Sequence, residues 1–203
     1  MYEFYNHDGN VTEGYLGEPE NFSGIVFLLK EPNNKTQATE FWFKKVLKDS
    51  IEYHKNLKEN GTVKKDITRS KRTFSAFKNR FSEMLLFIGS DEKCLNNSIF
   101  CNIHPEYGAD TETKAVNKAI KENADEMLCF FATLKNEITV FTCIDIYKYL
   151  LESEKIQNKI QEHGLTYTNK DESLSCFKCE IGNTKVTVYE IIHPSRSSKI
   201  LYK

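Results

Sequence analysis

The chain has 203 residues, of which 39% are hydrophobic and 28% are charged, and its formal net charge is −1. A domain of this length buries enough apolar surface for a full core, and the composition excludes a disulfide-held mini-protein, a collagen-like repeat and a wholly disordered chain. No apolar run approaches the roughly 20 residues that span a bilayer, and the first residues lack the basic start and apolar stretch of a signal peptide. We therefore expect a cytoplasmic protein with no membrane partner.

Strand-like and helix-like segments alternate along the chain. Strands are indicated by short runs of β-branched and aromatic residues, and helices by apolar residues at helical spacing. In chain order these patterns predict a strand at 24–29, a helix over 36–49, an exposed loop or insertion near 52–72, a helix over 73–88, a strand at 98–103, a helix over 112–134, a strand at 138–143, a further helix and a strand at 186–192.

The pattern of the strands predicts the class of fold. Three of the four strands are nearly continuous in hydrophobicity, which is typical of strands covered on both faces. Strands separated by helices of this length imply βαβ units and a parallel sheet. We predict an α/β fold over a single domain, residues 1–203, with a three-layer α/β/α sandwich and a mostly parallel sheet of about four strands.

Local signals mark the ends of elements in the C-terminal part of the chain. Thr142 and Asp145 have the spacing of a capping box, which predicts the start of a helix that runs through Tyr147, Leu150 and Leu151. Gly164 is a suitable residue to end that helix or its continuation. The dipeptide Gly182-Asn183 predicts the turn of a β-hairpin between residues 179 and 186.

The charge is unevenly distributed. Nine basic and two acidic residues lie between Lys55 and Arg80, so this basic window carries +7 and the rest of the chain −8. A basic surface on an acidic body suits a polyanion such as nucleic acid, although a solvated lysine-rich loop has the same pattern. Both interpretations stay open at this level.

Six cysteines in a chain without a secretion signal predict free thiols rather than a disulfide framework. Cys101, Cys129 and Cys143 lie in apolar runs and are expected to be buried. Cys176 and Cys179 form one CxxC pair with no second close pair, which is weak support for zinc or an iron–sulfur cluster. We therefore expect no metal and no cofactor.

Polar residues follow the predicted strands where each strand ends, and ligands of open α/β sheets bind at the carboxyl ends of the strands. They comprise an acid, an amide, two histidines and an arginine: Glu31, Asn102, His104, His193 and Arg196. Each has a structural alternative as well. Glu31 before a proline is also typical of a strand-ending turn, and Asn102 of a hydrogen-bonded amide in the core.

Three of these features together resemble the uracil-DNA glycosylase superfamily. They are a strand followed by Glu31-Pro32, a strand that carries Asn102, and a strand followed by His193-Pro194-Ser195. In that family the residue before the proline positions or activates a water, an Asn reads the flipped-out base, and a His stabilises the charge that develops on the base. The loop after the His-Pro-Ser motif wedges into the DNA.

The resemblance covers the chain from about residue 20 to about residue 200 and implies a DNA glycosylase-like hydrolase of base-excision repair, with the fold of that family. It implies that Glu31 and His193 are catalytic and that Asn102 and Asn33 bind the base. The residues expected to bind DNA are Ser195, Arg196, Ser197, Lys64, Lys65, Arg69, Lys71 and Arg72. DNA is the expected partner, no cofactor is implied, and we expect a monomer.

The chain also departs from the family pattern. Leu29 and Lys30 stand where the family usually has a glycine, Glu31 is one methylene longer than an aspartate, and residues 196–198 carry no bulky apolar wedge. Two other classes of function therefore stay open: a noncatalytic nucleic-acid or nucleotide binding module on the same fold, and an α/β enzyme for a small phosphorylated or nucleoside substrate. The sequence has neither a Gly-rich phosphate loop nor the serine elbow of the α/β-hydrolases.

Overall fold

A computed structural model describes residues 6–7, 10–11, 21–29, 80–103, 113–152, 160–169 and 172–191. The predicted helix over 36–49 and the predicted loop near 52–72 lie outside these ranges. So do all predicted site residues except Asn102. The described residues nevertheless include all four predicted strands and the longest predicted helix, which together determine the class of fold.

The described elements follow the predicted alternation and add two antiparallel strand pairs, one near the N-terminus and one after the last helix. The strands are β1 (Asn6–His7), β2 (Asn10–Val11), β3 (Ile25–Leu29), β4 (Ile99–Asn102), β5 (Glu137–Thr142), β6 (Ile160–Asn169), β7 (Glu172–Ile181) and β8 (Thr184–Glu190). The helices are α1 (80–87), α2 (Thr113–Leu134) and α3 (Tyr147–Leu150), and a 3₁₀ helix covers Glu92–Asn97.

Six of the described strands form one sheet in the order β4-β3-β5-β8-β7-β6. The first four strands are parallel, and β7 and β6 continue the sheet as antiparallel neighbours. The four parallel strands are the four that the apolar runs predict. The α/β class is therefore confirmed, and the sheet is wider than the predicted four strands because the β6–β7 pair extends it beyond β8.

Apolar side chains of the sheet form two cores, one on each face. Successive residues of β3 contribute to both, because side chains alternate along a strand. Val26 belongs to the core that includes Leu128 of α2, and Phe27 belongs to the core that includes Phe81 and Met84 of α1. Helices therefore cover both faces of the sheet, which explains why these strands are apolar throughout rather than alternating.

Helix α2 has 22 residues and buries the apolar stripe that the sequence predicts. Ile120, Met127 and Phe131 recur at helical spacing and pack against the sheet, whereas Lys114 and Lys121 are exposed. Its observed bounds agree with the predicted 112–134 to within one residue. In the described part of the chain, no helix combines the length and hydrophobicity needed to cross a membrane.

An aromatic ladder crosses the four parallel strands on the α1 side. Phe27 stacks on Phe100 with ring centroids 4.8 Å apart and on Phe141 at 5.5 Å, and Phe141 stacks on Tyr189 at 5.3 Å. These residues are register partners on adjacent strands, so each pair adds ring contact to the backbone pairing. The ladder helps to hold the parallel strands in one register.

The predicted hairpin is confirmed, and the predicted role of Gly164 is wrong. Ile181 pairs with Thr184 on either side of the two-residue turn Gly182-Asn183. Gly164 does not end a helix, because it lies in β6 opposite Cys176. Strand β6 is held by a pairing with β7 that runs through most of both strands, and this pairing outweighs the local preference of one glycine.

The predicted capping box is also wrong. Thr142 Oγ1 accepts a hydrogen bond from the N–H of Ile144 at 3.2 Å, and Asp145 forms an exposed ion pair with Lys148 at 3.2 Å. The N–H groups at the start of α3 donate instead to Glu190, which lies on β8. The cap therefore comes from a different strand and not from the segment that precedes the helix.

Candidate functional site

The four parallel strands end together at one edge of the sheet, which we call the carboxyl edge. Strand β3 ends at Leu29, β4 at Asn102, β5 at Thr142 and β8 at Glu190. The register pairs Leu29 with Asn102 and Thr142 with Glu190, so neighbouring strands end level with each other. Ligands of open α/β sheets bind at this kind of edge.

Two main-chain hydrogen bonds extend the pairing one residue past the carboxyl edge. The N–H of Ile103 donates to the carbonyl of Leu29 at 2.8 Å, and the N–H of Ile191 donates to the carbonyl of Thr142 at 2.7 Å. Both bonds join neighbouring strands. They therefore set the points at which the chain leaves β4 and β8.

Asn102 is the predicted site residue that the structure describes, and it is 2% exposed. It lies two positions after Phe100 and so belongs to the α1 side of β4, as does its register partner Leu29 on β3. A buried amide costs about 1–3 kcal/mol unless it is hydrogen-bonded. The burial of Asn102 is consistent with both alternatives that the sequence leaves open, a structural amide and a ligand-reading one.

Asn123 of α2 supports the end of β4 from the other side of the sheet. Its Nδ2 donates to the carbonyl of Ile103 at 3.4 Å, and the two residues are 6% and 1% exposed. The main chain at Ile103 is therefore held at its N–H by β3 and at its carbonyl by α2. This pair of contacts fixes the backbone immediately after Asn102.

Glu190 connects the end of β8 to the start of α3. Its Oε1 accepts hydrogen bonds from the N–H groups of Ile146 and Tyr147, both at 2.9 Å. A carboxylate that accepts backbone N–H groups at the start of a helix is favoured by the direction of those dipoles. Glu190 thus acts as a cap supplied across the carboxyl edge.

The CxxC pair cannot form one metal site. Cys179 packs with Phe177 in the core on the α2 side, whereas Cys176 is paired with Tyr189, which packs on the α1 side. Residues three apart on a strand point to opposite faces of the sheet, so the two thiols face away from each other. Within the described ranges, no group of three or more His, Cys, Asp or Glu side chains is placed to hold a metal ion.

Burial suppresses the ionisation of two groups on the sheet. Complete burial raises the pKa of the Cys101 thiol far above its usual value, so this cysteine is not a nucleophile near neutral pH. Partial burial, and secondarily the neighbouring Cys176, raise the pKa of Tyr189. Elsewhere, a hydrogen bond to Asp145 raises the pKa of the exposed Lys148. None of these three groups changes charge near neutral pH.

The remaining predicted site residues lie outside the described ranges. They are Glu31, Asn33, Lys64, Lys65, Arg69, Lys71, Arg72, His193, Ser195, Arg196 and Ser197. Two of the segments that carry them begin directly after Leu29 and Ile191. Their convergence with Asn102 on one cleft stays a prediction.

Asn123 and Glu190 are not predicted from the sequence, although each carries a local signal. Asn123 interrupts the apolar stripe of α2 three residues after Ile120, and Glu190 is an acid inside the apolar run over 186–192. A polar residue inside an apolar pattern indicates a buried polar contact. The partner of that contact cannot be read from the pattern, because in both cases it lies far along the chain.

No protein-family model matches this chain, and neither the curated proteins nor the solved structures contain a match to it. The resemblance to the uracil-DNA glycosylase superfamily therefore depends on the motif residues and their order along the chain. The strands that carry or precede those motifs are parallel and end at the carboxyl edge.

Proposed function

We propose that this protein is a DNA glycosylase-like hydrolase, with the α/β/α sandwich of the uracil-DNA glycosylase superfamily, that cleaves the N-glycosidic bond of a flipped-out uracil-type or otherwise damaged base. One observation carries the proposal. The three strands that carry or precede the motif residues are parallel and end at one edge, where the buried Asn102 lies beside Leu29. Glu31 and His193 follow Leu29 and Ile191 by two residues each.

The dimensions of the sheet support a common site. Neighbouring strands lie about 4.8 Å apart, so the end of β3 lies roughly 5 Å and the end of β8 roughly 14 Å from the end of β4, which carries Asn102. Two residues of extended chain reach at most about 7 Å, and a side chain adds to that reach. These dimensions support a site in which Glu31 contacts a ligand beside Asn102 and His193 contacts the same ligand where it extends across the ends of β3 and β5.

The proposed chemistry divides the reaction among these residues. The bond between the base and the sugar C1′ breaks with its electron pair going to the base. A water oxygen bonds to C1′, and the proton that this water loses ends, by way of solvent, on the released base. Glu31 orients the water and stabilises the cationic sugar. His193 stabilises the anionic base, as an oxyanion hole stabilises developing charge. The amide of Asn102, with Asn33, recognises the edge of the base.

DNA binding accompanies this chemistry, because a base must leave the stack before such a pocket can hold it. Ser195, Arg196 and Ser197 are proposed to contact the DNA directly after His193. The basic residues of the window, Lys64, Lys65, Arg69, Lys71 and Arg72, are proposed to neutralise phosphates, which lowers the free energy of binding through release of counterions.

A base-excision assay tests the proposal. The protein is offered single-stranded and duplex oligonucleotides that carry uracil, hypoxanthine or xanthine, and abasic sites are detected by alkaline cleavage. We expect cleavage of at least one substrate, with loss of about 100-fold or more in kcat for His193→Ala, because charge stabilisation of this kind is worth that much.

The matched control is His163→Ala. This substitution removes a histidine from β6, which is the outermost strand at the end of the sheet farthest from β4. This variant is expected to retain wild-type cleavage. Equal loss in both variants would point to general damage, and wild-type cleavage by both would point to a contaminating activity. A folded wild-type protein that cleaves none of these substrates would contradict the proposal.

A noncatalytic binding module is the second candidate, and one observation favours it. Leu29 is 4% exposed and lies in the α1-side core beside Asn102, at a place where the glycosylase family usually has a glycine that lets the backbone approach the base. DNA binding measured by fluorescence anisotropy distinguishes the candidates. Unchanged affinity of a Glu31→Gln, His193→Ala double variant, together with no product from the wild type, would support the binding module.

A further inference from the structure

The order of the parallel strands reverses next to β3. From β3 the chain continues to β4 on one side, and from β4 it crosses to β5 on the other side. The first connection includes α1, which packs on one face of the sheet, and the second includes α2, which packs on the opposite face. In open α/β sheets, ligands bind in the crevice that such a reversal leaves beyond the carboxyl ends of the strands. Here that place is the β3–β5 crevice, beyond the ends of β3 and β5.

Cys143 lies at the β3–β5 crevice. It directly follows the last residue of β5. The register pairs Leu28 with Thr142, so the next residue along each strand places Cys143 level with Leu29 at the end of β3. Cys143 packs against both cores of the sheet and is half-buried, whereas Leu29 is 4% exposed. Of these two residues, Cys143 is therefore the one that a ligand in the crevice can contact.

The amide of Asn102 is an independent indication of a ligand at the same place. Asn102 is 2% exposed, and among the described residues no group forms a hydrogen bond with its side chain. A buried amide without such a bond lowers stability, so a ligand that supplies the missing partner accounts for it. Asn102 pairs in register with Leu29 and therefore lies beside the β3–β5 crevice.

We propose that Cys143 is a binding residue of the carboxyl edge and contacts a flat heterocyclic ring whose polar edge is held by Asn102. This inference rests on the function proposed above, which identifies the ring as a nucleobase. Strand β3 lies between β4 and β5, so Asn102 and Cys143 are roughly 10 Å apart. That span holds one ring together with a hydrogen bond of about 3 Å to the amide and a contact of about 4 Å with the sulfur.

Alkylation of the wild-type protein tests the proposal, because a bound ligand shields the residues that it contacts. The protein reacts with iodoacetamide alone or with uracil, hypoxanthine or xanthine, each offered as the free base and within a single-stranded oligonucleotide. Mass spectrometry of the peptides gives the rate of modification of each cysteine. We expect at least one of these probes, near saturation, to slow the modification of Cys143 by about tenfold or more.

Cys94 is the matched control in the same experiment. It is also half-buried and also packs against the α1-side core, but it lies in the 3₁₀ helix that precedes β4, at the opposite edge of the sheet. Its rate of modification should not change with any probe. Equal slowing at Cys94 and Cys143 would mean that the probe acts on the whole protein or on the reagent, and it would overturn the proposal. So would an unchanged rate at Cys143 with every probe.

The same experiment on Asn102→Leu tests whether one ligand contacts both residues. Leu has a similar volume but no amide, so the ring loses the group that holds its polar edge. We expect the probe to shield Cys143 in the wild type and not in Asn102→Leu. Shielding of Cys143 that persists in Asn102→Leu would overturn the proposed arrangement.

Substitutions at Cys143 provide a measurement that does not depend on alkylation. Cys143→Phe fills the crevice, whereas Cys143→Ala removes the contact and leaves the crevice open. Titration calorimetry with the shielding probe should show affinity weakened about tenfold or more in Cys143→Phe and about threefold in Cys143→Ala. Wild-type affinity in a folded Cys143→Phe would overturn the proposal. If Cys143→Phe does not fold, Cys143→Met takes its place.

The outcomes separate the inference from the proposed function. A protein that excises a base while no probe shields Cys143 would overturn the inference and leave the function intact. A protein that excises no base, but whose Cys143 is shielded in the wild type and not in Asn102→Leu, would overturn the hydrolase and support Cys143 as a binding residue.

Discussion

Asn102 combines burial with a position at the end of a parallel strand, and its role is testable at the scale of a single residue. It is 2% exposed and pairs in register with Leu29. If its amide reads a base, Asn102→Leu, which keeps a similar volume, should lower kcat/KM by about 100-fold or more, because a site built to hydrogen-bond loses that much when a partner is removed. Steady-state excision kinetics measure the change.

Stability measured on the same variant separates the two roles of Asn102. A purely structural amide leaves its partners unsatisfied when it is replaced, at a cost of about 1–3 kcal/mol, and a ligand-reading amide does not. Urea denaturation of Asn102→Leu gives that value. Asn136→Leu, an exposed amide just before β5 at the opposite edge of the sheet, is the control and should leave excision unchanged. Unchanged excision by Asn102→Leu would remove Asn102 from the site.

The raised pKa values of Cys101 and Tyr189 lead us to expect a loss of stability at alkaline pH. The folded state raises the pKa of both groups, so it binds their protons more tightly than the unfolded state. The stabilisation is complete below the ordinary values, about 8.5 for a thiol and about 10 for a phenol, and is lost as the pH rises above them. The free energy of unfolding, measured in urea between pH 7 and pH 10.5, should therefore begin to fall near pH 8.5.

The matched variants for this prediction keep the volume and remove the ionisation. Cys101→Val should flatten the decline above about pH 8.5, and Tyr189→Phe should flatten only the part near pH 10. Thiol labelling gives an independent check, since the half-buried Cys94 should be labelled in the native protein long before Cys101. A decline that is the same in Cys101→Val and in the wild type would contradict the assignment.

At the scale of elements, Gly24 controls the entry into β3. Its φ is +87°, and an added Cβ would lie 2.8 Å from the carbonyl oxygen of Glu137, which begins β5. Alanine at a positive φ costs about 1–2 kcal/mol, and overpacking adds about 1–3 kcal/mol. Gly24→Ala should therefore destabilise the protein by more than the conformational term alone.

Gly182→Ala is the control for that prediction, because it isolates the conformational term. Gly182 has a φ of +62°, and within the described residues nothing lies within 4 Å of a Cβ added there. Urea denaturation should show a loss of about 1–2 kcal/mol for Gly182→Ala and a larger loss for Gly24→Ala. Equal losses would contradict the prediction, because they would mean that β3 can move away from Glu137 of β5 to accommodate the added Cβ without a loss of stability.

Most of the helices and strands could be predicted from the sequence. The predictions that were wrong have a common cause. The bounds of α2 and the four parallel strands follow from apolar periodicity, which is local. Gly164 and the capping box were misassigned because the competing interactions, pairing with β7 and the bonds to Glu190, come from elsewhere in the chain. Local propensity gives no account of such partners.

At the scale of the whole molecule, the separation of charge predicts a steep salt dependence of DNA binding. The basic window carries +7 and the rest of the chain −8. For duplex DNA the slope of log K against log salt changes by about 0.9 for each phosphate that the protein no longer neutralises. Replacement of Lys64, Lys65, Arg69, Lys71 and Arg72 by Gln should therefore weaken binding and flatten the slope by up to about 4.5.

The control for the salt series removes positive charge from another surface. Lys114, Lys118 and Lys121 lie on the exposed face of α2, and the last two form exposed ion pairs that contribute little to stability. Their replacement by Gln should leave the slope nearly unchanged. A similar flattening of the slope in both variants would mean that DNA binding depends only on the net charge of the protein. The basic window would then be a solvated loop.

The sequence alone determined the class of fold, because hydrophobic periodicity reports which residues must be buried, and four apolar runs alternating with helices can be buried only in an α/β arrangement. It also placed Asn102 at the end of a buried strand. The tertiary structure decided the order β4-β3-β5-β8-β7-β6 and the contacts of Asn123 and Glu190. These depend on which faces meet across long stretches of chain, a choice settled by the free energy of the whole core and not by any local pattern.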